Sequence, residues 1–329
     1  MKRRTFITLL GGAAAAWPLG VRAQQPAMPV LGFLHSSSHD GVRDRAAAFG
    51  EGLKETGFVD GRNVVIEYRW AENQLDQLPA LAADLARRQV SVIAACGSPA
   101  SALAAKAATT TIPIVFENGA DPVQLGLVAS LSQPGGNITG VTNVSSELVA
   151  KRLGLLRELV PSATSIAILV NPTRPGVDAQ AGQVHEAARA LRLPLHILRA
   201  SHENDFDAAF QSLVKLRAGA LVIATDALFN DWRTRPQIIA LARHYSVPVM
   251  YEFREAVAAG GLISHGSDNQ DAYRQAGILA GRILEGKRPA DLPVMQPTKF
   301  ELVINMKTAK ALGIEVPISM QMLADEVIE

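Results

Sequence analysis

This sequence predicts an α/β fold of two doubly wound parallel-sheet lobes, and three observations carry that reading. Short runs rich in Val, Ile and Leu alternate with stretches of helical period. The alternation restarts about midway along the chain. A length of 329 residues suits two domains of ordinary size. Strands that are apolar on both faces, separated by helices of roughly 10–15 residues, indicate sheets covered by helices on both sides.

The elements follow in order. Residues 29–34 read as a first strand, ending in the polar loop His35-Ser36-Ser37-Ser38. Ala46, Phe49 and Leu53 share one face of a helix over 43–56, and the turn Asp60-Gly61 introduces a strand over 63–68. A helix over 75–88, a strand over 90–95, a helix over 98–108 and a strand over 112–116 come next. A helix is expected from Pro122, with Asp121 as its N-cap, and a strand near 138–141. The pattern then restarts with helices over 147–159, 177–191, 206–216 and 235–245. Strands over 165–170, 195–198, 220–224, 247–250 and 262–264 alternate with them, and 271–285 is the last long helix. The tail differs. Prolines make 292–297 extended, 300–304 is one more strand, and 307–312 is a short helix ended by Gly313. Such a tail is suited to cross between lobes as part of a hinge.

The N-terminus reads as an address rather than as structure. Lys2-Arg3-Arg4-Thr5-Phe6-Ile7 precedes a short apolar stretch over 9–19, and Val21-Arg22-Ala23 puts small side chains at −3 and −1 of a cleavage point. The pattern resembles a twin-arginine export signal, cleaved after Ala23 to deliver a periplasmic protein. An uncut anchor is the alternative, but the apolar stretch is shorter than the roughly 20 residues a span requires. Removing the four basic residues of 1–23 turns the formal charge of +1 into about −3. A faintly acidic protein with only 5% aromatic residues has no footprint for nucleic acid. The single cysteine, Cys96, rules out an intramolecular disulfide.

Ligands of open α/β sheets bind beyond the carboxyl ends of the strands, and those ends name the candidate residues. Ser36 and Ser37 follow the first strand. In Gly97-Ser98-Pro99-Ala100-Ser101, Gly97 permits close backbone approach, Ser98 is a natural N-cap and Pro99 suits the first helical turn. Free N–H groups there favour a carboxylate, and Ser101 lies one turn on. Ordinary capping is the competing account of both serines. Asn118 and Asn171 each offer an amide that donates and accepts, or merely shapes a turn. Asp226 offers a carboxylate to a ligand ammonium group, or caps a helix. Tyr251 is the candidate for stacking on a planar ligand, and Gly266 lies in the strand end His265-Gly266-Ser267. His35 and His39 sit four apart in a loop rather than on a helix, so no metal site and no cofactor is expected. No paired nucleophile and base, G-x-G-x-x-G, P-loop or G-x-S-x-G is present, which argues against an enzyme.

Several longer blocks resemble one family. They are Leu131-Ser132-Gln133-Pro134-Gly135-Gly136-Asn137-Ile138-Thr139-Gly140, Ala258-Ala259-Gly260-Gly261-Leu262-Ile263-Ser264, the run from Leu292 through Gln296-Pro297-Thr298-Lys299-Phe300-Glu301-Leu302-Val303-Ile304-Asn305 to Lys310-Ala311-Leu312-Gly313, and the closing Ala324-Asp325-Glu326-Val327-Ile328-Glu329. Together these are similar to the ABC-transporter substrate-binding proteins that include tryptophan- and tyrosine-binding components. The resemblance implies a type I periplasmic-binding-protein fold, with two lobes joined by three crossings and closing on a ligand. The expected division is 29–142 with 266–296, against 143–265 with 300–329. The expected function is delivery of a small molecule, an amino acid or else an aromatic or other organic acid, to an importer's membrane permease. A sensor subunit is the other role for such a protein. A monomer is expected.

Overall fold

A computed structural model describes residues 28–143 and 146–329 of the chain. The export signal over 1–23 and its cleavage point lie outside the described residues. In the first half, β1 (Val30–His35), α1 (Arg43–Glu55), β2 (Val65–Trp70), α2 (Leu78–Arg87), β3 (Val92–Cys96), α3 (Pro99–Ala108), β4 (Ile114–Asn118) and β5 (Ile138–Thr142) follow one another. They form a five-stranded parallel sheet in the order β2-β1-β3-β4-β5, with Leu31 opposite Val92 and Ile114 opposite Ile138. Except on the edge strand β2, these strands are buried on nearly every residue, because apolar clusters cover both faces.

The helix expected at Pro122 is a single turn. Asp121 does cap it, accepting from the backbone of Val123 at 2.8 Å and Gln124 at 3.1 Å. Gly126, at φ +66°, then turns the chain away.

The second half holds α4 (Ser146–Leu159), β6 (Ile166–Val170), α5 (Val177–Ala190), β7 (Leu195–Arg199), α6 (Phe206–Lys215), β8 (Ala220–Ile223), α7 (Ala227–Asn230), α8 (Arg235–His244), β9 (Val249–Tyr251), α9 (Arg254–Ala258) and β10 (Ile263–Ser267). The chain continues with α10 (Asn269–Leu284), β11 (Phe300–Asn305), α11 (Met306–Ala311), α12 (Ile318–Leu323) and β12 (Glu326–Ile328). Seven strands form the second sheet in the order β12-β11-β10-β9-β8-β6-β7, with β11 antiparallel to β10. The short α7, α9, α12 and β12 are too brief to show a periodicity, and the sequence did not announce them.

The chain passes between the lobes three times. It leaves β5 for α4, returns from β10 into α10, and crosses again between Met295 and β11. α10 belongs with the first lobe, packed on α1 through glycines: a Cβ on Gly277 would lie 2.1 Å from the Phe49 carbonyl, and one on Gly52 would lie 1.9 Å from that of Arg274. The 292–296 segment then runs beside β5. Thr139 Oγ1 donates to the Leu292 carbonyl at 2.7 Å, and Thr142 N–H donates to that of Met295 at 2.9 Å. Both sheets therefore present their carboxyl ends to one cleft.

Candidate functional site

Strand ends of the first lobe build one wall of this cleft. Beyond β1, His35 Nδ1 accepts from the Ser37 backbone at 2.9 Å, so its proton sits on Nε2, 2.8 Å from the Tyr273 hydroxyl. Burial, reinforced by Arg45, holds the His35 imidazole down to about 3, and it is neutral. Gly97, at φ +86°, brings the chain against this ring; a Cβ there would lie 2.4 Å from the imidazole. Ser98 then caps α3, its Oγ accepting from Ser101 N–H at 3.3 Å. Asn118 Oδ1 accepts from Ala120 N–H at 2.8 Å, while its Nδ2 is buried without a partner. Next to it, Asn143 Nδ2 donates to Glu117 Oε1 at 2.8 Å and leaves its own Oδ1 unmatched.

The second lobe answers with groups that are already engaged. Asp226 caps α7, accepting from Leu228 N–H at 2.8 Å, and Asn171 Nδ2 donates to the same oxygen at 3.2 Å. Arg174 lies 4.0 Å from the other carboxylate oxygen and reaches across the cleft to donate to the Gly119 carbonyl at 3.0 Å. Burial pushes the Asp226 carboxyl up, against the pull of Arg174, Asn171 and the Leu228 N–H. Burial likewise lowers Arg174, opposed by Asp226 and Glu252. At the mouth, three consecutive residues clasp the first lobe. Ser37 Oγ donates to Asp231, Trp232 Nε1 donates to Ser38 Oγ at 3.3 Å, and Arg233 pairs with Glu72 at 3.2 Å.

Between these walls lies a narrow cavity of about 40 Å³. Ser37, Gly97, Ser98, Asn118 and Asp226 line it. Other candidates fall elsewhere. Asn171 orients Asp226 from a wider opening of the cleft. Ser101 is fully buried, its Oγ 3.2 Å from that of Ser98, and supports the cap. Ser36 is buried off the cavity lining with its hydroxyl unmatched. Gly266 serves packing: a Cβ there would lie 2.1 Å from the Glu252 carbonyl. Tyr251 does not reach the cleft, because its ring lies against Gly261, over an apolar cavity within the second lobe.

Among the lining residues that sequence reasoning did not single out are Arg45 on α1, Tyr273 on α10 and Asp231 after α7, and Phe253 after β9 joins them. Arg45 is the one with a local signal, since it stands one turn before the buried Phe49 on a core-facing stripe. Burial opposes its charge, but Glu255, Tyr273 and Glu117 outweigh burial and raise it further. Glu117 is pushed up by burial, with Arg45 and the Gly97 N–H pulling the other way. A second, polar cavity of about 280 Å³ adjoins the first across Gly119 and Arg174. It holds the buried pair Arg152–Glu252, 3.4 Å apart.

Known proteins resemble this chain over most of its length. The model of the family described as ABC transporter substrate binding protein matches residues 31–328. A tyrosine-binding protein of Clostridioides difficile is 30% identical over 285 residues, covering 87% of this chain and 81% of that protein. Among solved structures, a conserved domain protein from Vibrio cholerae is 26% identical, with a TM-score of 0.85 over 91% of this chain and 99% of its own. An ABC domain in complex with L-Trp from Streptococcus pneumonia gives a TM-score of 0.84 at 23% identity, with the same coverage. The ligand-free, open structure of a substrate binding protein from Clostridium difficile gives 0.67 at 27% identity, over 92% of this chain and 99% of that one. With the two-lobed architecture, the shared cleft and a family model spanning nearly all described residues, this chain belongs to the ABC transporter substrate binding protein family.

Proposed function

We propose that this protein is a periplasmic receptor that closes its two lobes on one amino acid. It then presents the closed form, as a monomer, to the permease of an importer. The observation carrying this reading is the mixed charge of the cleft. Arg45 and Arg174 face the same small cavity as Glu117, Asp226 and Asp231, and Asn118 and Asn143 add an unmatched donor and an unmatched acceptor. A zwitterion satisfies both signs at once. Its carboxylate suits the arginines, the Asn118 amide and the N-terminal end of α3; its ammonium suits the carboxylates and Asn143 Oδ1. Phe253 and Tyr273 favour an aromatic side chain, as do the tyrosine and tryptophan ligands of the relatives. The role is binding without conversion, and a lobe closure driven by ligand is the signal the importer reads.

The engagement of Asp226 with Leu228, Asn171 and Arg174 favours a second reading, an aromatic acid without an ammonium group. Thermal-shift and calorimetric titration separate the two. L-tyrosine and L-tryptophan should raise the melting temperature, by roughly 2.7 kcal/mol of stability at 100 times the dissociation constant. Their analogues lacking the amino group should do so far less. The reverse order would install the organic-acid reading. Export is tested by replacing Arg3 and Arg4 with lysine, which should abolish periplasmic delivery. Undiminished delivery would point to the general secretory route.

A further inference from the structure

Behind the second sheet, away from the cleft, lies a cavity of about 260 Å³ walled by Ile239, Ala242, Val247, Leu262 and Leu312, among others. Among the described residues, the one buried side-chain polar atom lining it without a partner is the Tyr251 hydroxyl, on a residue that is 4% exposed. Gly261 makes room for that ring, since a Cβ there would lie 2.7 Å from Tyr251 Cε2. Arg243 and Lys307 also line the cavity. Both are exposed, and among the described residues neither forms an ion pair or a side-chain hydrogen bond. Among the described residues, no acidic one contributes to the lining.

We propose that this cavity is a second ligand site, taking an aromatic monocarboxylate that carries an oxygen at the end of the ring remote from its carboxylate. The apolar walls take the ring, Arg243 and Lys307 take the carboxylate, and Tyr251 donates to the remote oxygen. An alkane-like ligand would leave the hydroxyl and both cations unused, and a cationic ligand would meet only like charge. The inference stands apart from the cleft, because no residue of this cavity lines it.

The probe is 4-hydroxyphenylacetate, with phenylacetate as the analogue lacking the remote oxygen. Titrated into the full mature chain by calorimetry, 4-hydroxyphenylacetate should bind saturably. Tyr251→Phe should weaken it about fivefold, the worth of one hydrogen bond, and leave phenylacetate unchanged. Arg243→Glu combined with Lys307→Glu should weaken both acids at least tenfold. Ala242→Leu, which fills the cavity, should abolish binding while the protein keeps its cooperative melting. The proposal is overturned if the probe does not saturate. It is equally overturned if binding persists undiminished in all three variants, because the acid would then sit in the cleft.

Discussion

The two lobes bring different stocks of unspent hydrogen bonding to the same cleft. On the first, the Asn118 amide nitrogen is buried and unmatched, and at the first crossing so is the amide oxygen of Asn143. On the second, the Asp226 carboxylate is met by Leu228, Asn171 and Arg174, and Arg174 already donates across to Gly119. A buried polar group without a partner costs about 1–3 kcal/mol, so the first lobe holds a cost that a ligand can remove. At Asp226 and Arg174 the second lobe must exchange existing bonds for new ones. The contrast teaches that a strand-end carboxylate facing a cleft is not thereby available; what matters is which partners its own lobe supplies.

Breaking the second lobe's set tests this hardest. Arg174→Ala strips Asp226 of its cation and Gly119 of its cross-lobe donor, and calorimetry should show ligand affinity falling by about 2–5 kcal/mol. An unchanged affinity would mean that the second lobe merely covers the ligand. Asp226→Ala should fall in the same range if an ammonium group is bound, and its melting temperature should also drop through loss of the α7 cap.

Asn118→Asp sharpens the other side. It keeps the acceptor that serves Ala120 but replaces the unmatched donor with an acceptor, and a ligand carboxylate should then bind about 1.5–3 kcal/mol more weakly. Equal binding by the variant would remove Asn118 from the site.

Acid tests the first lobe's buried histidine. His35 titrates near 6.5 when unfolded and about 3 when folded, so between those values the unfolded chain holds the extra proton. Its contribution to stability is whole above pH 6.5 and is lost progressively as pH falls toward 3. The raised carboxyls of Glu117 and Asp226 act in the opposite sense, because folding favours their protonated forms. The test is therefore a difference: between pH 7 and pH 4.5 the melting temperature of His35→Gln should fall less than that of the wild type. Parallel profiles would show that His35 is not the group titrating.

The smallest effects belong to the cap and the clasp. Ser98→Ala should cost about 1 kcal/mol of stability, with a lesser loss in affinity because the backbone N–H groups of α3 remain. A Cβ on Gly41 would lie 2.5 Å from Trp232 Cδ1, so Gly41→Ala should displace the clasp. Small-angle scattering should then show a more open unliganded form, and an unchanged profile would mean that the clasp is incidental.

The alternation of strands and helices was legible in the sequence because it rests on local properties: apolar period, β-branched runs, caps and turn residues. Gly97-Ser98-Pro99 was legible for the same reason, since a left-handed glycine, a capping hydroxyl and a first-turn proline are each short-range requirements. The strand-end rule located the loops of the cleft but not the direction of their side chains. Consecutive residues of a strand point to opposite faces, so Glu252 lines the polar cavity beside the cleft while Tyr251 turns into the back of the lobe. Which of the two faces the cleft depends on the sheet's register with β8 and β10, a long-range matter. Arg45, Asp231 and Tyr273 stand far apart in sequence and meet only once α10 has crossed back onto α1 and the lobes have closed. Tertiary structure alone decided that meeting, because no local preference encodes a contact that two distant crossings of the chain must first bring about.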